Sequence, residues 1–467
     1  MNDDAVSAES LAAALTAALV GTGVTIRPAG AADSVAGIRP RWVALPETAE
    51  EIAAVMRVTA AHDLAVVAVG GGTKLHWGHP PERCDVVIDT RRLNEILEHE
   101  AGDLVVCVQA GVPVEALARA LAGKGQELAL DVPPAGGTLG GTVGGTVGGT
   151  VGGTVGGLLA TGIAGPRRFR YGTARDLLIG ITVVLADGTI AKAGGKVVKN
   201  VAGYDLGKLF TGSYGTLGVI ADATFRLHPL PAARAWVTAT FDRPMTETPE
   251  TWRNEEGITA EIGSVDVADE IRAIVPAVAE SQVEPSAIEL DWPDVNGPCT
   301  IAVLVEGSAA AERARAVRDM MGEKAQVADE PPEWWGRLPG HAGRAGNEGV
   351  LLEFRNVASR LPETFVGPFV TAGMTGARPA VRGSLASGVL HVALPAETEP
   401  ATAVAFVGAL RAECEDAGRL VVLCAPEDVA RRVDRWGHVG GLTLMRRIKD
   451  RFDPDRRMSP GRFVGGI

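Results

Sequence analysis

From Val132 to Pro166 the chain carries no charged side chain, yet glycine pairs interrupt it at almost every step. Such a run is too apolar for an ordinary loop, and glycine at that density opposes a continuous membrane helix, as does Pro133-Pro134 at its start. Five tetrapeptides of the form GGT(L/V) span Gly136 to Val155. A period of four fits neither a strand face nor a solenoid unit. The array reads as the expansion of one functional turn, with flexible linker as the competing reading for its earlier copies. The last copy, Thr154-Val155-Gly156-Gly157, runs directly into the non-repetitive LLATGIAGPRRFRYG and is the one expected to meet a ligand. Glycine supplies positive φ and close approach, so amide N–H groups there can converge on an anion.

A second glycine cluster lies upstream. Thr48 and Glu51 form a possible capping box for a helix with Ile52, Val55, Met56 and Thr59 on its inner face. A strand at 65–69 follows, then Gly70-Gly71-Gly72-Thr73-Lys74-Leu75, then a further strand near Val86-Val87-Ile88. A Walker loop or dinucleotide fingerprint needs a helix after its glycines, so this strand–turn–strand context excludes both. The turn can still receive phosphate as a nest of amides, and a plain tight turn is the competing reading.

A strand at 104–110, a helix from Pro113, a strand at 177–185, an ADGT hairpin turn at Ala186–Thr189 and a strand at 217–227 complete the first half. His228-Pro229-Leu230-Pro231 marks a boundary. Beyond it, strand-like and helical runs alternate, as in an α+β layer with helices on one face of a sheet. A net charge of -12 speaks against nucleic acid or an anionic membrane surface as partner. Five cysteines without CxxC spacing encode neither a disulfide framework nor a metal or iron–sulfur site. The acidic N-terminus lacks the cationic region of a secretory signal, which points to a cytoplasmic chain.

The ordered set of GGGTKLHWG, the GGTVGGLLATGIAG stretch, GGKVVKNVAGYD and SYGTLGVI resembles the FAD-binding domain of the PCMH-type, vanillyl-alcohol oxidase superfamily. That resemblance implies an α+β fold with a two-subdomain FAD-binding domain at 38–230, a repeat insert at 136–155, an N-terminal helical extension at 1–37 and an α+β cap domain at 231–467. It implies that Gly70, Gly71, Gly72, Thr73, Lys74 and Leu75 wrap the diphosphate. Thr154, Gly156, Gly157, Thr161, Gly162, Ile163, Ala164 and Gly165 would line the ring and ribityl portion, with Val219 and Ile220 bonding through backbone. Arg167 and Asp205 fall at family positions, and an ion pair or cap is their expected role. Relatives that tether flavin do so through a histidine in the first glycine loop, where Thr73 stands here, so FAD is expected to be noncovalent. Tyr214 replaces a glutamate carried by many relatives.

The second half holds His341, His391 and His438 without an HxH or HH pair. Oxidation of a 2-hydroxy acid needs a base for the hydroxyl proton, and His438, in WGHVGG, is the candidate. No metal site is expected. The chain is most similar to the second FAD-binding subunit of bacterial glycolate oxidase, which implies a catalytic flavin subunit and an iron–sulfur subunit as partners and a place in the cytoplasm or at the inner membrane through that complex. Two other readings stay open: a self-sufficient FAD-dependent dehydrogenase of a 2-hydroxy acid or alcohol, and a flavin-free scaffold.

Overall fold

The computed structural model describes residues 24–131, 153–196, 204–242, 249–253, 259–263, 266–340, 349–360, 365–414 and 418–467, with Ala13 and Ala17. The repeat copies before Gly153, Val197 to Gly203, His341 and most of the N-terminal helical extension lie outside them.

Among the described residues the strands form three larger sheets and two short two-stranded ladders. The first has the order β1 (Thr25–Pro28), β2 (Trp42–Leu45), β4 (Val86–Asp89), β3 (Val66–Val69), with β4 parallel to both its neighbours. Helix α1 (Ala49–Ala61) supplies the crossover. Thr48 caps it by accepting from the Glu51 amide at 3.1 Å, while the Glu51 carboxylate reaches back to the Glu47 amide rather than to that of Thr48. Ile52, Val55, Met56 and Thr59 are all buried beneath it, as their helical spacing predicts.

The second sheet is antiparallel, with the order β5 (Ile96–Glu100), β6 (Val105–Gln109), β10 (Val219–Arg226), β8 (Leu178–Val184), β9 (Ile190–Gly194). A small ladder of β7 (Gln126–Glu127) and β11 (His228–Pro229) lies beside it. The β8–β9 turn is the predicted ADGT hairpin, with Gly188 at φ +85°. Helix α2 (Val114–Ala122) starts after Pro113, and α3 (Val155–Thr161) closes the apolar layer through Val155, Leu158 and Leu159.

The chain then enters an eight-stranded sheet at β12 (Arg234–Phe241), followed by the hairpin β13 (Pro249–Arg253) and β14 (Thr259–Gly263). The remaining strands are β15 (Ala287–Trp292), β16 (Cys299–Glu306), β17 (Ala325–Ala328), β18 (Val350–Asn356), β19 (Ala380–Ser384), β20 (Val389–Leu394) and β21 (Gly418–Cys424), in the order β17-β12-β16-β15-β19-β20-β18-β21. Its helices are α4 (Asp266–Ala279), α5 (Ala310–Met321), α6 (Gly367–Thr375) and α7 (Pro400–Ala412), with α8 (Leu442–Phe452) near the C-terminus. Alternation along these strands sends Leu352, Phe354, Leu390 and Val392 into the core under the helices. It turns Leu351, Ala393 and Leu423 the other way, into the apolar layer of the second sheet. One face of the large sheet therefore looks onto the glycine segment.

A buried ionic cluster bolts the two together. Arg167 bonds Asp131 (2.8 Å) and Glu127 (2.9 Å), Arg234 on β12 bonds Glu127 and Glu306 (2.8 Å each), and the Tyr171 hydroxyl donates to Glu306 (2.9 Å). Burial opposes the Arg167 charge, but Asp131, Glu127 and Glu306 outweigh it and hold its pKa above the usual value. Arg167 thus has the ion-pair role expected of it, and Asp205 likewise pairs with Lys208 at 3.1 Å. Arg167→Leu should destabilise by about 3–5 kcal/mol, because it strands buried carboxylates without a counter-charge. Urea denaturation followed by tryptophan fluorescence checks this, and a loss under 1 kcal/mol would show the cluster to be incidental.

Candidate functional site

Two clefts meet along the residues that follow the repeat. The first, with about 660 Å³ of open space, is lined by Val67, Ala68 and Gly70 to Leu75 on one side and by Gly153, Thr154, Gly157, Leu158, Ala160, Thr161 and Ile163 on the other, with Tyr214 and Arg462. The two glycine-rich stretches, more than eighty positions apart in the chain, share this cleft. Their approach is closest at Gly70, where a Cβ would lie 2.1 Å from Thr154 Oγ1. Only a residue without a side chain fits there.

The turn at 70–75 has the properties of an anion nest. Gly72 sits at φ +72° and Leu75 donates back to the Gly72 carbonyl at 3.4 Å. Among the described residues the amides of Gly71, Gly72, Thr73 and Lys74 make no hydrogen bond, so they are available to an anion. Burial pushes the half-buried Lys74 ammonium down to about 8, against the opposing pull of Glu115.

The last repeat copy behaves differently from its reading as an amide cradle. It opens α3, with Thr154 as N-cap accepting from the Gly157 amide at 3.3 Å. The amides of Val155 and Gly156 are bonded to the Val112 and Ala110 carbonyls at 3.0 and 2.7 Å. Gly156 is needed because a Cβ would press Ala110 at 2.9 Å, so its role is packing, and it does not line the cleft. Gly162 ends the helix at φ +65°. Val219 and Ile220 are buried in the β10 ladder opposite Val184 and Val183 and line neither cleft.

The second cleft, with about 400 Å³ of open space, continues from Ala164, Gly165 and Pro166 to the large sheet, where Arg168, Glu289, Arg337, Arg382, Ser384, Val389 and His391 line it. Strand register produces this group. Asp291, Arg382, His391 and Glu353 stand opposite one another across β15, β19, β20 and β18, a polar row on the face turned to the glycine segment. Arg382 is spent on Asp291 (Nε at 2.8 Å) and on the Arg337 and Leu338 carbonyls. Arg168 makes no hydrogen bond or ion pair through its guanidinium among the described residues.

His391 Nε2 lies 3.6 Å from Glu353 Oε2. Burial lowers the His391 pKa to about 4, with the Glu353 charge opposing, so the imidazole is neutral at pH 7. Burial would raise Glu353, but Arg355, bonded to it at 2.7 Å, helps hold its carboxylate below the ordinary value. Burial pushes Glu289 the other way, to about 8, and its Oε1 has no partner. Glu289 is therefore a neutral carboxylic acid at pH 7, able to donate a hydrogen bond.

His438 is exposed on the segment before α8 and lines neither cleft; among the described residues the histidine that reaches this junction is His391. Sequence reasoning missed Arg168, Glu289 and Glu353. Among the described residues there is no group of three or more His, Cys, Asp or Glu side chains that could hold a metal, and none of the five cysteines is in a disulfide. No described helix is long and apolar enough to cross a membrane.

Comparison with known proteins identifies the first half. The family described as FAD binding domain matches residues 40–154 and 149–194. The chain is 33% identical over 203 residues to glycolate oxidase subunit GlcD of Bacillus subtilis (strain 168), covering 44% of this chain and 40% of that protein. It is 33% identical over 207 residues to D-lactate dehydrogenase [cytochrome] 1, mitochondrial, of Saccharomyces cerevisiae, covering 44% of this chain and 32% of that one. The matches thus span two fifths or less of these relatives' own length. In fold the chain is similar to a solved alkyldihydroxyacetonephosphate synthase (TM-score 0.63, 17% identity, 97% of this chain and 84% of that one). A 4-ethylphenol oxidase from Gulosibacter chungangensis gives a TM-score of 0.62 at 15% identity, over 91% of this chain and 89% of the other.

The fold is shared with these solved structures, and the likeness to an FAD binding domain falls on the residues that carry both glycine-rich stretches of the first cleft. Residues 40–194 are thus similar to an FAD binding domain. The free amides of the 71–74 turn and the side-chain-free contact at Gly70 fit that cofactor.

Proposed function

We propose that the chain is an FAD-dependent oxidoreductase acting on the CH–OH group of a small 2-hydroxy acid, with residues 38–230 holding noncovalent FAD and residues 231–467 supplying the side chains that meet the substrate. The observation that supports this most is the second cleft, where an unpaired guanidinium, a neutral histidine and a neutral carboxylic acid stand beside Ala164 and Gly165. Arg168 is suited to take the substrate carboxylate, and a 2-hydroxy acid places its hydroxyl one carbon from that anchor. With Nε2–H turned to Glu353, His391 Nδ1 is left to accept the hydroxyl proton, and the Glu353 carboxylate stabilises the imidazolium that forms. Glu289 donates to a substrate oxygen. Bound FAD supplies the hydride acceptor. Gly70 to Leu75 and Thr154, Thr161, Ile163, Ala164 and Gly165 are the proposed cofactor contacts. The first cleft does not include Gly156, Gly162, Val219 and Ile220, which keep a supporting role.

A second reading is favoured by the likeness to a protein named as a glycolate oxidase subunit. In it the chain assists a catalytic flavin subunit and passes electrons to an iron–sulfur subunit. The two separate on one assay: the purified chain, loaded with FAD, is offered glycolate or D-lactate and an artificial electron acceptor. Turnover by the chain alone supports the first reading. Turnover that appears only with co-purified partners moves the chemistry to the complex, and a colourless protein that takes up no FAD removes both.

A further inference from the structure

A chain of ring contacts leads out of the first cleft. Tyr214 stands in the cleft wall at φ +55°, beside Gly215 at +72°, inside a turn closed by the Thr216 amide and the Ser213 carbonyl at 3.1 Å. Two left-handed positions in succession suit Asn-Gly rather than a bulky ring, so the backbone accepts strain to hold the tyrosine there. Its ring meets Trp436 edge-on with centroids 5.6 Å apart and Phe463 at 5.6 Å, while Trp436 and Phe463 lie 4.8 Å from each other. Phe463 is delivered by the C-terminal tail, which pairs in parallel with β3 through Met458 and Val66. Trp436 is partly exposed, and His438, Gly440 and Gly441 after it are exposed. The trio therefore runs from the cleft wall to the surface.

The surface it reaches is opposite in charge to the chain as a whole. Helix α8 follows directly and abuts the trio, with Arg446 Nη2 donating at 3.3 Å to the carbonyl of Gly465, two residues beyond Phe463. Inward, α8 turns Ile448 and Phe452 to the core of the second sheet and buries Lys449. Outward it presents Leu444, 60% exposed, with the exposed Arg447 and Arg451 at the i, i+3, i+7 spacing of one helix face. The helix holds four basic residues against one acid, Asp450, which Arg456 takes up at 2.7 Å, in a chain whose net charge is -12. Basic side chains gathered on one face of an acidic protein attract a negatively charged partner. A single exposed leucine is too little apolar surface for an interfacial membrane helix, which leaves an acidic protein as the occupant.

We propose that α8 and the Trp436 segment form the docking face for an acidic protein bearing a one-electron redox centre, and that Tyr214 and Trp436 mark the route by which electrons reach it. This rests on the reading of the first cleft as the FAD site, and goes beyond it by naming the face through which the reduced cofactor is emptied. Oxidation of one 2-hydroxy acid delivers two electrons to the flavin. They leave singly, to two oxidised acceptor molecules, while the two protons released from the substrate pass to solvent. Aromatic rings in contact narrow the gap an electron must cross, and the arginines bring the acceptor to the end of that line. Electron-transfer encounters bury little surface, so one helix face with its flanking segment is enough.

The test uses the full chain loaded with FAD and, as probe, the soluble domain of cytochrome b5, an acidic haem protein. Affinity is read by calorimetry, and electron delivery by haem reduction after the flavin has been reduced photochemically, so that neither readout depends on the substrate. Arg447→Glu with Arg451→Glu should weaken binding of the probe about tenfold or more at low ionic strength, a difference that fades at about 0.5 M salt. Reduction of a small neutral quinone should proceed as in the parent. Trp436→Leu should bind the probe as the parent does, which shows an intact fold, yet reduce its haem several-fold more slowly. Undiminished affinity in the double variant would overturn the docking face, and haem reduction at the parent rate in Trp436→Leu would overturn the route. A parent that binds vesicles of phosphatidylserine and phosphatidylcholine through these arginines, and does not bind the cytochrome, would overturn the proposal in favour of a lipid surface. A parent that takes up no FAD removes the reading of the first cleft, a result distinct from a flavin-loaded parent whose acceptor binding ignores the two arginines.

Discussion

Replacing His391 by asparagine is expected to leave the chain loaded with FAD while lowering kcat about 10²- to 10⁴-fold, the usual contribution of a positioned base. Asparagine keeps much of the volume on β20 and removes the basic ring nitrogen that can take up a proton. Glu353→Gln should lose less, because it only weakens the hold on the imidazolium. Steady-state kinetics with a 2-hydroxy acid, beside the flavin absorbance of each variant, measures both. Equal kcat in parent and His391→Asn would remove His391 from the chemistry. Stability offers a second readout. The histidine pKa is 6.5 in its ordinary state and about 4 in the fold. Between those values the unfolded chain binds a proton that the folded chain does not, so stability falls as pH drops from 6.5 towards 4. The effect is worth at most roughly 3 kcal/mol. His391→Asn should lack that slope, and an unchanged slope would mean that the imidazole is not held neutral.

Gly70→Ala should reduce FAD affinity at least tenfold and destabilise the apo chain by about 1–3 kcal/mol. Gly70 is not at a positive φ, so space alone is at issue: the new methyl would sit 2.1 Å from Thr154 Oγ1. Thr154 cannot simply turn away, since that hydroxyl caps α3. The conflict therefore pushes the 70–75 turn off the start of the helix. Thr154→Ala alone should cost about 0.5–2 kcal/mol through the lost cap. In that background Gly70→Ala should cost much less than in the parent, because the clashing atom is gone. Additive effects in this cycle would show that the two stretches do not touch in solution.

Much of the lining of the first cleft was legible in the sequence, for a physical reason. Gly70 to Leu75 and Thr154 to Gly165 advertise themselves through residues chosen for what they lack, and the strands around them alternate cleanly enough to be placed within a residue or two. The same signal misled at finer grain. Glycines at 156 and 162 look like ligand contacts, but one makes room for Ala110 and the other ends a helix. The polar row was out of reach. Positions 291, 353, 382 and 391 share no linear spacing, and only the registers of four strands set them side by side. His438 attracted notice because glycines surround it, yet neighbours in sequence say nothing of which histidine a sheet will carry to a given face.

The pairing of the C-terminal tail with β3 sets an order of events during biosynthesis. The glycine turn leaves the ribosome early, but the edge of β3 and the underside of the turn stay uncovered until residues 457–462 have emerged. A chain in which residues 457–462 have not yet been made therefore leaves main-chain groups of β3 open that the finished fold pairs.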